Sequence, residues 1–317
     1  MQYPVQYKGG GTTLIDLMKL DVMQPATVVD ITAIDITAID DPSMRRIDRT
    51  DDELRIGSLV SMAQLHADPS MIRDYPILTE SLWQAASQQL RNMARLGGNV
   101  LQRTRCAYFR DTSYDQCNKR VPGSGCAALD GFNRGHAVLG TSEHCIALYA
   151  GDWAPALMAL DARVELLSLS GRRTLAFADL HRLPGATPHI ETSLAPGELI
   201  LAFTIPGGPR RRSLYRKVRD RQSYAFANAS AAVAIDMDGD VLRDVRIGLG
   251  GVATIPWRAH RAEALLRGRT LNEATAGAAA EAEFADAQPR GNNNYKVALG
   301  KATMVRALLD AQAMEIS

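Results

Sequence analysis

Hydrophobic and polar positions change period several times along the chain, and each change marks an element. The opening MQYPVQYKGGGTTLIDLMKL reads as a short strand-like segment, three glycines, two threonines and an amphipathic turn with Leu14, Leu17 and Met18 at helical spacing. PATVVDITAIDITAID is β-branched and strand-like, and it repeats Asp-Ile-Thr-Ala-Ile in tandem at 30–34 and 35–39. An odd repeat in a continuing strand would turn matching side chains to opposite faces, so one copy is expected in a strand and the other as a loop insertion. DELRIGSLVSMAQL predicts a strand over 54–56, a turn at Gly57 and a helix entered near Ser61. ESLWQAASQQLRNMARLGGNVLQ predicts one longer helix, with Leu82, Ala85, Ala86 and Leu90 on one side and Gly97 and Gly98 ending it.

Past residue 150, DWAPALMALDARVELLSLSGRRTL predicts a short helix and then a hairpin turning at SGRR. GELILAFTIPGGPRRRS is a strand running into a Gly, Pro and Arg stretch, the best domain boundary in the sequence. The segment from Ser213 to Ala259 alternates as strands with a hairpin turn at DMDGD, and alanine-rich helical segments follow.

Composition narrows the function classes. A chain of 317 residues suggests about two domains with sizeable cores, so cysteine staples are not needed for folding. With 36 basic and 35 acidic side chains, global electrostatics support neither nucleic-acid binding nor a membrane surface role. No apolar run approaches the roughly 20 residues of a membrane span, so membrane insertion is not expected. The start lacks a signal-like pattern, so the chain is expected to carry no export address of its own.

The cysteines change the picture. All four, Cys106, Cys117, Cys126 and Cys145, crowd into one polar, glycine-punctuated stretch with spacing C-x10-C-x8-C-x18-C. Structural zinc sites favour close C-x2-C pairs, and none is present. A 4Fe-4S core has separate iron corners and can gather thiolates from a wandering loop, with PGSGC giving close backbone approach and Arg105, Lys119 and Arg120 offsetting negative charge. On spacing alone, free thiols or disulfides, an iron-sulfur cluster and zinc all remain open. His136 and His144 lie nearby and read as lone surface histidines.

Two glycine elements add a second chemistry. GGGTTL can turn backbone N–H groups and two hydroxyls toward an anion at a helix start, as a pyrophosphate requires, although such a loop is also a common plain turn. LGGN at 96–99 reads equally as a helix C-cap, and it runs directly into QRTRC. A nucleotide cofactor beside a redox cluster accounts for both elements at once.

Together GGGTTLIDLMKL, LGGNVLQRTRC, CNKRVPGSGCAALDGFNRGHAVLGTSEHCIA, GDWAPALMALDA, TPHIETSLAPGELI and YRKVRDRQSYAFANAS resemble the FAD-binding medium subunit of the molybdenum hydroxylases of the xanthine oxidase family, over nearly the whole chain. The cysteine loop resembles an insertion found in its bacterial aldehyde oxidoreductase and 4-hydroxybenzoyl-CoA reductase branches, where it holds an extra 4Fe-4S cluster. The resemblance implies an α+β fold: a two-lobed vanillyl-alcohol-oxidase-type FAD domain over 1–205, with lobe one about 1–52, lobe two about 53–205 and the iron-sulfur insertion at 103–146. A smaller α+β C-terminal domain would cover 213–317.

It further implies that Gly10, Gly11, Thr12, Thr13 and Leu14 hold the FAD pyrophosphate and ribityl region, with Tyr7, Lys8 and Gly9 beside them. Gly97, Gly98 and Asn99 would form the second flavin loop, and Arg103 and Thr104 would serve the flavin where the cysteine loop begins. Asp152 would bind the FAD tail, Leu199 or Ile200 would pack near the isoalloxazine, and Lys217 would hydrogen-bond the flavin edge. Without the resemblance, Asp152 reads as a helix N-cap and Lys217 as one charge of a solvated basic strand. Cys106, Cys117, Cys126 and Cys145 would ligate the cluster. Three features depart from the family pattern: an early glycine loop, Arg95 and Leu96 where threonine is usual, and the doubled Asp-Ile-Thr-Ala-Ile.

Function follows from the resemblance. The chain is expected to contribute no catalytic residue to aldehyde oxidation, which would occur on a large molybdopterin cytosine dinucleotide subunit. Electrons would pass through a small subunit with two 2Fe-2S clusters to FAD here and on to an external acceptor such as a ferredoxin. The expected compartment is the periplasm, by co-export with a partner, or the cytoplasm. The rival within the family is a 4-hydroxybenzoyl-CoA reductase-like flavin subunit; the rival outside it is a zinc-organised scaffold without redox activity.

Overall fold

The computed structural model describes residues 5–32 and 42–316. Val5–Lys8 (β1) and Thr27–Asp30 (β2) pair in parallel, from Val5 opposite Thr27 to Lys8 opposite Asp30, and Leu14–Lys19 (α1) makes the crossover between them. The pairing sets Lys8 Nζ 2.5 Å from Asp30 Oδ2 and holds that carboxyl well below the usual carboxylate range. Most of the doubled pentapeptide, from residue 33 on, lies outside the described residues, so the strand-and-loop expectation is not placed there.

Ile47–Arg49 (β3) and Glu53–Gly57 (β4) begin a second body. Ser61 enters Met62–Ala67 (α2) through a reciprocal cap: Gln64 N–H donates to the Ser61 hydroxyl, and the Ser61 N–H donates to the Gln64 side chain. Pro69–Asp74 (α3) and Pro76–Trp83 (α4) each carry proline in the first turn, where its missing N–H costs nothing.

The single long helix expected over 80–96 is instead three short ones: α4, Gln88–Met93 (α5) and Leu96–Val100 (α6). Ala86 sits at φ 50, which stops α4, and the Ser87 hydroxyl accepts from Leu90 N–H to start α5 afresh. The buried Arg91 donates to Trp83 O and Ala85 O, satisfying carbonyls the break frees. Ala94 and Arg95 are extended, so Gly97 and Gly98 lie inside α6 and do not terminate a helix.

An irregular stretch with Ala107–Arg110 (α7) leads to Trp153–Ala159 (α8), then Arg163–Ser168 (β5), Gly171–Ala176 (β6) and Leu199–Pro206 (β7). The sheet is antiparallel in the order β3-β4-β7-β5-β6. The expected hairpin is β5 and β6, turning beside Gly171 at φ 112. Central strand β7 is buried on both faces: Leu199 and Leu201 pack with Met44 and Leu59, while Ile200, Phe203 and Ile205 enter the main helical core with Trp153.

The Gly-Pro-Arg stretch separates β7 from Ser213–Val218 (β8). Ala229–Asp238 (β9) and Val241–Gly250 (β10) form the DMDGD hairpin with Gly239 at φ 57, and Trp257–Arg258 (β11) completes an antiparallel sheet ordered β11-β10-β9-β8. His260–Leu266 (α9), Glu273–Glu283 (α10) and Tyr295–Gln312 (α11) cover it. Alanine is what lets these layers approach: Ala231, Ala276, Ala280, Ala307 and Ala311 are all buried in this core. The two bodies touch closely. A Cβ on Gly248 would fall 1.9 Å from Pro155 O, so α8 rests directly on the β10 backbone. Among the described residues no helix is long and apolar enough to cross a membrane.

Candidate functional site: two glycine loops beside a thiol loop

The two glycine elements meet. A Cβ on Gly10 would lie 1.8 Å from Met93 O, and one on Gly9 would lie 3.3 Å from Arg95 Cγ, so the first loop is seated on the residues leading into α6. Gly11, at φ 76, makes the turn into α1, and Ile15 N–H donates to Gly11 O. The Thr13 side chain makes no cap hydrogen bond, and Leu14 begins the helix. Arg95, at a family-divergent position, donates to Leu59 O and has no carboxylate partner among the described residues.

At the second loop Gly97 N–H donates to Ser58 O, and a Cβ on Gly97 would meet Ser58 Cβ at 2.9 Å. A Cβ on Gly98 would meet nothing within 4 Å, so the opposite side of the loop is open. Asn99 Nδ2 donates to Met62 Sδ, whereas buried Asn99 Oδ1 and Ser58 Oγ have no hydrogen-bond partner among the described residues. Orphaned polar atoms, an arginine with no carboxylate partner among the described residues and bare glycine backbone in one seam suit a dinucleotide, which brings acceptors, hydroxyls and a charged pyrophosphate. Ser58 was missed in the sequence, although its place just after Gly57 at a strand end was a usable signal.

Several expected flavin contacts are spent within the protein. Lys8 is paired with Asp30, and Tyr7 OH donates to Gly197 O at 3.2 Å. Arg103 Nε pairs with Glu191 Oε2 at 2.5 Å, with its guanidinium 4.5 Å over the Phe109 ring. Thr104 Oγ1 donates to Leu148 O and accepts from Cys106 N–H. Leu199 faces lobe one with Ile31 packed beside it, and Ile200 faces the other way. Of the two, only Leu199 is on the lobe-one side.

Asp152 and Lys217, expected at the tail and the flavin edge, are in contact. Lys217 Nζ lies 2.9 Å from Asp152 Oδ2 and donates to Gln84 O, and Tyr215 OH donates to Asp152 Oδ1 at 2.7 Å. The two expected roles thus converge on one ion pair. Asp152 makes no side-chain cap to α8, and the Lys217 side chain is fully buried, so neither plain reading holds either. Burial pushes the Asp152 carboxyl up, against the pull of Lys217. The triad ties α8 to β8 across the domain seam.

The thiol loop packs on both neighbours. Arg105 and Arg110 hold Asp16 on α1, and Phe109 shares a small core with Leu17, Val22 and Cys117. At its other end Val138 and Leu139 N–H donate to Val252 O, and Asn293 Nδ2 donates to Ala137 O. Arg120, expected near the sulfurs, instead donates to the carbonyls of Tyr108, Phe109, Asp111 and Tyr114, and Arg105 is committed to Asp16. Lys119 pairs with Glu191 at 2.7 Å while its charge still reaches Cys145.

All four thiols are free, and pairwise interactions link them. Cys117 and Cys126 form a β-bridge across the turn with Gly123 and Gly125 at φ 85 and 99. Cys106 bears on both of them, and burial pushes its thiol up to about 12. Cys126 and Cys145 share a hydrogen bond that eases ionisation of Cys126 and opposes that of Cys145. Backbone N–H groups of Phe109, Ala128, Ile146 and Ala147 point at sulfurs. Among the described residues no three ligand-type side chains close around one point as a single ion needs. Free thiols that accept backbone N–H···S bonds leave the sulfurs of this loop available as ligands.

His136 corrects the surface reading. It is 6% exposed, with Nε2 3.1 Å from Cys106 Sγ and no partner at Nδ1 among the described residues; burial pulls its ring down to about 4. His144 is exposed, as expected.

Glu191, also missed in the sequence, clamps the loop. Arg103 and Lys119 hold its carboxyl down at about 2, below the ordinary 4.5. A carboxylate lowered in the folded state stabilises above its unfolded pKa, and that stability is lost as pH falls through the folded value. Glu191→Gln is therefore expected to cost about 2–3 kcal/mol at pH 7, with the difference from the parent shrinking as pH drops from about 4.5 toward 2. Urea unfolding at stepped pH checks this, and a pH-independent gap would refute it.

Comparison with known proteins fits this geometry. Residues 4–208 match the family described as FAD binding domain in molybdopterin dehydrogenase, and residues 213–311 match the CO dehydrogenase flavoprotein C-terminal domain. The chain is 46% identical to the aldehyde oxidoreductase FAD-binding subunit PaoB of Escherichia coli (strain K12), over 97% of this chain and 92% of that protein. It is 27% identical to the carbon monoxide dehydrogenase medium chain of Afipia carboxidovorans, over 96% and 88%. Among solved structures it superposes on quinoline 2-oxidoreductase from Pseudomonas putida 86 with TM-score 0.70 and 25% identity, covering 98% of this chain and 90% of that one. On the Cu,Mo-CO dehydrogenase the TM-score is 0.72, at 25% identity and the same coverage. The chain belongs to the FAD-binding medium subunits of the molybdenum hydroxylase family, with an FAD-binding domain followed by a CO dehydrogenase flavoprotein-type C-terminal domain.

Proposed function

We propose that this chain is the FAD- and 4Fe-4S-carrying electron-transfer subunit of a heterotrimeric molybdenum-dependent aldehyde oxidoreductase. The observation that carries the reading is the meeting of three elements around α1: the first glycine loop opens it, the second is seated against that loop, and the four-cysteine loop is pinned to it through Asp16. Identity to PaoB supports aldehyde oxidation as the reaction of the assembly. FAD in such a site accepts single electrons from iron-sulfur centres and releases one or two. In this reading the two lobes are of the vanillyl-alcohol-oxidase type, and Gly10–Thr13, Ser58 and Gly97–Asn99 bind the cofactor. Arg95 supplies the cation facing its pyrophosphate, and Leu199 is the apolar neighbour of its ring. Cys106, Cys117, Cys126 and Cys145 hold the cluster.

The partners are a large molybdopterin cytosine dinucleotide subunit and a small subunit with two 2Fe-2S clusters, with a ferredoxin-like protein as external acceptor. The subunit takes the compartment of the partner it travels with. The test is the visible spectrum of the co-expressed assembly, with iron and acid-labile sulfide counted per flavin in this chain after its separation from the others. Flavin bands that bleach on adding an aldehyde, with labile sulfide retained by this chain, are expected. Flavin without sulfide would remove the cluster from the reading, and a flavin indifferent to aldehydes would favour a 4-hydroxybenzoyl-CoA reductase-like enzyme.

A further inference from the structure

Behind the Cys106 corner of the thiol loop lie two buried groups that neither flavin binding nor thiolate ligation accounts for. His136 brings Nε2 to 3.1 Å from Cys106 Sγ. A thiolate bound to iron can only accept a hydrogen bond, so with a cluster in place Nε2 would carry the proton and donate, leaving the lone pair on Nδ1, which has no partner among the described residues. Asn293, just before α11, fixes the histidine strand by donating to Ala137 O, and Lys296 N–H donates to Asn293 O.

Lys296 follows on the first turn of α11, and its side chain is wholly buried. Its Nζ donates to Asn228 O at 2.9 Å and Gly251 O at 2.7 Å, and among the described residues no carboxylate stands within ion-pair distance. Buried cations are normally paired, whereas Lys296 rests on two neutral carbonyls, with Asp220 favouring and Arg134 opposing its charge through space only. Burial lowers its pKa to about 8, and its charge is felt at His136. A tetrathiolate iron-sulfur cluster on the His136 side would supply a further anion: it is negative as oxidised and gains another electron on reduction.

We propose that His136 and Lys296 are positioning residues that raise the reduction potential of the cluster, His136 by an Nε2–H···S bond to Cys106 and Lys296 by a buried positive charge behind it; this rests on the cluster reading above. Both devices favour the more negative, reduced state, because hydrogen bonds to ligand sulfur and nearby positive charge stabilise added electron density. They bias the cluster toward accepting an electron from the flavin side.

The test is an EPR-monitored redox titration of the holoenzyme, in the parent and in His136→Leu, His136→Gln and Lys296→Met, with iron and labile sulfide measured per flavin. Expected are parent-like iron and sulfide, a lower cluster midpoint in His136→Leu and in Lys296→Met, near-parent behaviour in His136→Gln, which keeps an N–H donor, and an unchanged flavin midpoint. An unmoved cluster midpoint with iron retained in either His136→Leu or Lys296→Met overturns the proposal. If His136→Leu sheds its iron, His136→Gln and Lys296→Met decide: parent-like in the first and lowered in the second supports it, and any other pair of results overturns it. A parent without labile sulfide defeats the cluster reading itself and this proposal with it, a result distinct from an unmoved potential.

Discussion

Gly10→Val should strip the flavin from this subunit, lowering the flavin-to-protein ratio and the affinity for added FAD by at least tenfold. The first added carbon alone would fall 1.8 Å from Met93 O and 2.5 Å from Met93 C, and both are main-chain atoms that no rotamer change can move aside. The glycine loop must therefore lift from the residues leading into α6. Overpacking of this kind costs about 1–3 kcal/mol even where a core can adjust, and about 1.4 kcal/mol is a tenfold change in binding. Gly98→Ala supplies the contrast. Its added methyl meets no protein atom within 4 Å, and alanine suits a helix better than glycine, so the melting temperature should hold or rise. If the open side of Gly98 is where FAD lies, flavin affinity falls in this variant without loss of stability. Parent-like flavin content in Gly10→Val would show that the two loops do not act as one clamp.

Lys217→Met is expected to destabilise the protein by about 3–5 kcal/mol, because it leaves the Asp152 carboxylate buried with Tyr215 as its remaining partner. Burial already pushes that carboxyl up, and removing the cation strengthens the push. The effect should appear as weakened cooperation between the two domains, since α8 and Gln84 belong to one and β8 to the other. Asp152→Asn combined with Lys217→Met removes both charges while keeping an acceptor for Tyr215 OH, and should recover most of the loss. Urea unfolding of the two variants and the parent measures it. A single variant as stable as the parent would mean that the pair is held by the cofactor and not by the fold.

Local signals carried far where they were self-contained. The helix entry near Ser61 and the hairpin turn at DMDGD, where Gly239 takes φ above zero, both formed as read; the structure adds Gln64 as the reciprocal cap of Ser61. The helix over 80–96 failed because its hydrophobic spacing is continuous across the breaks. A left-handed Ala86 has no sequence signature, and it persists because Arg91 folds back onto the freed carbonyls. His136 failed for a related reason: a histidine in a polar loop looks solvated until Asn293 and Lys296, some 160 residues on, close over it.

What the sequence by itself determined is the chemistry available: two glycine loops that can present bare backbone, four thiols in one stretch, and an alternation of strands and alanine-rich helices that fits a two-domain α+β chain. These are matters of composition and short-range geometry, which the chain carries before it folds. Tertiary structure decided which groups meet. It set Gly10 against Met93, paired Asp152 with Lys217 at the seam, and turned Arg103 and Lys119 to Glu191. Each of these contacts joins residues far apart in the chain, where burial and charge pairing select the partner and no local pattern records the choice.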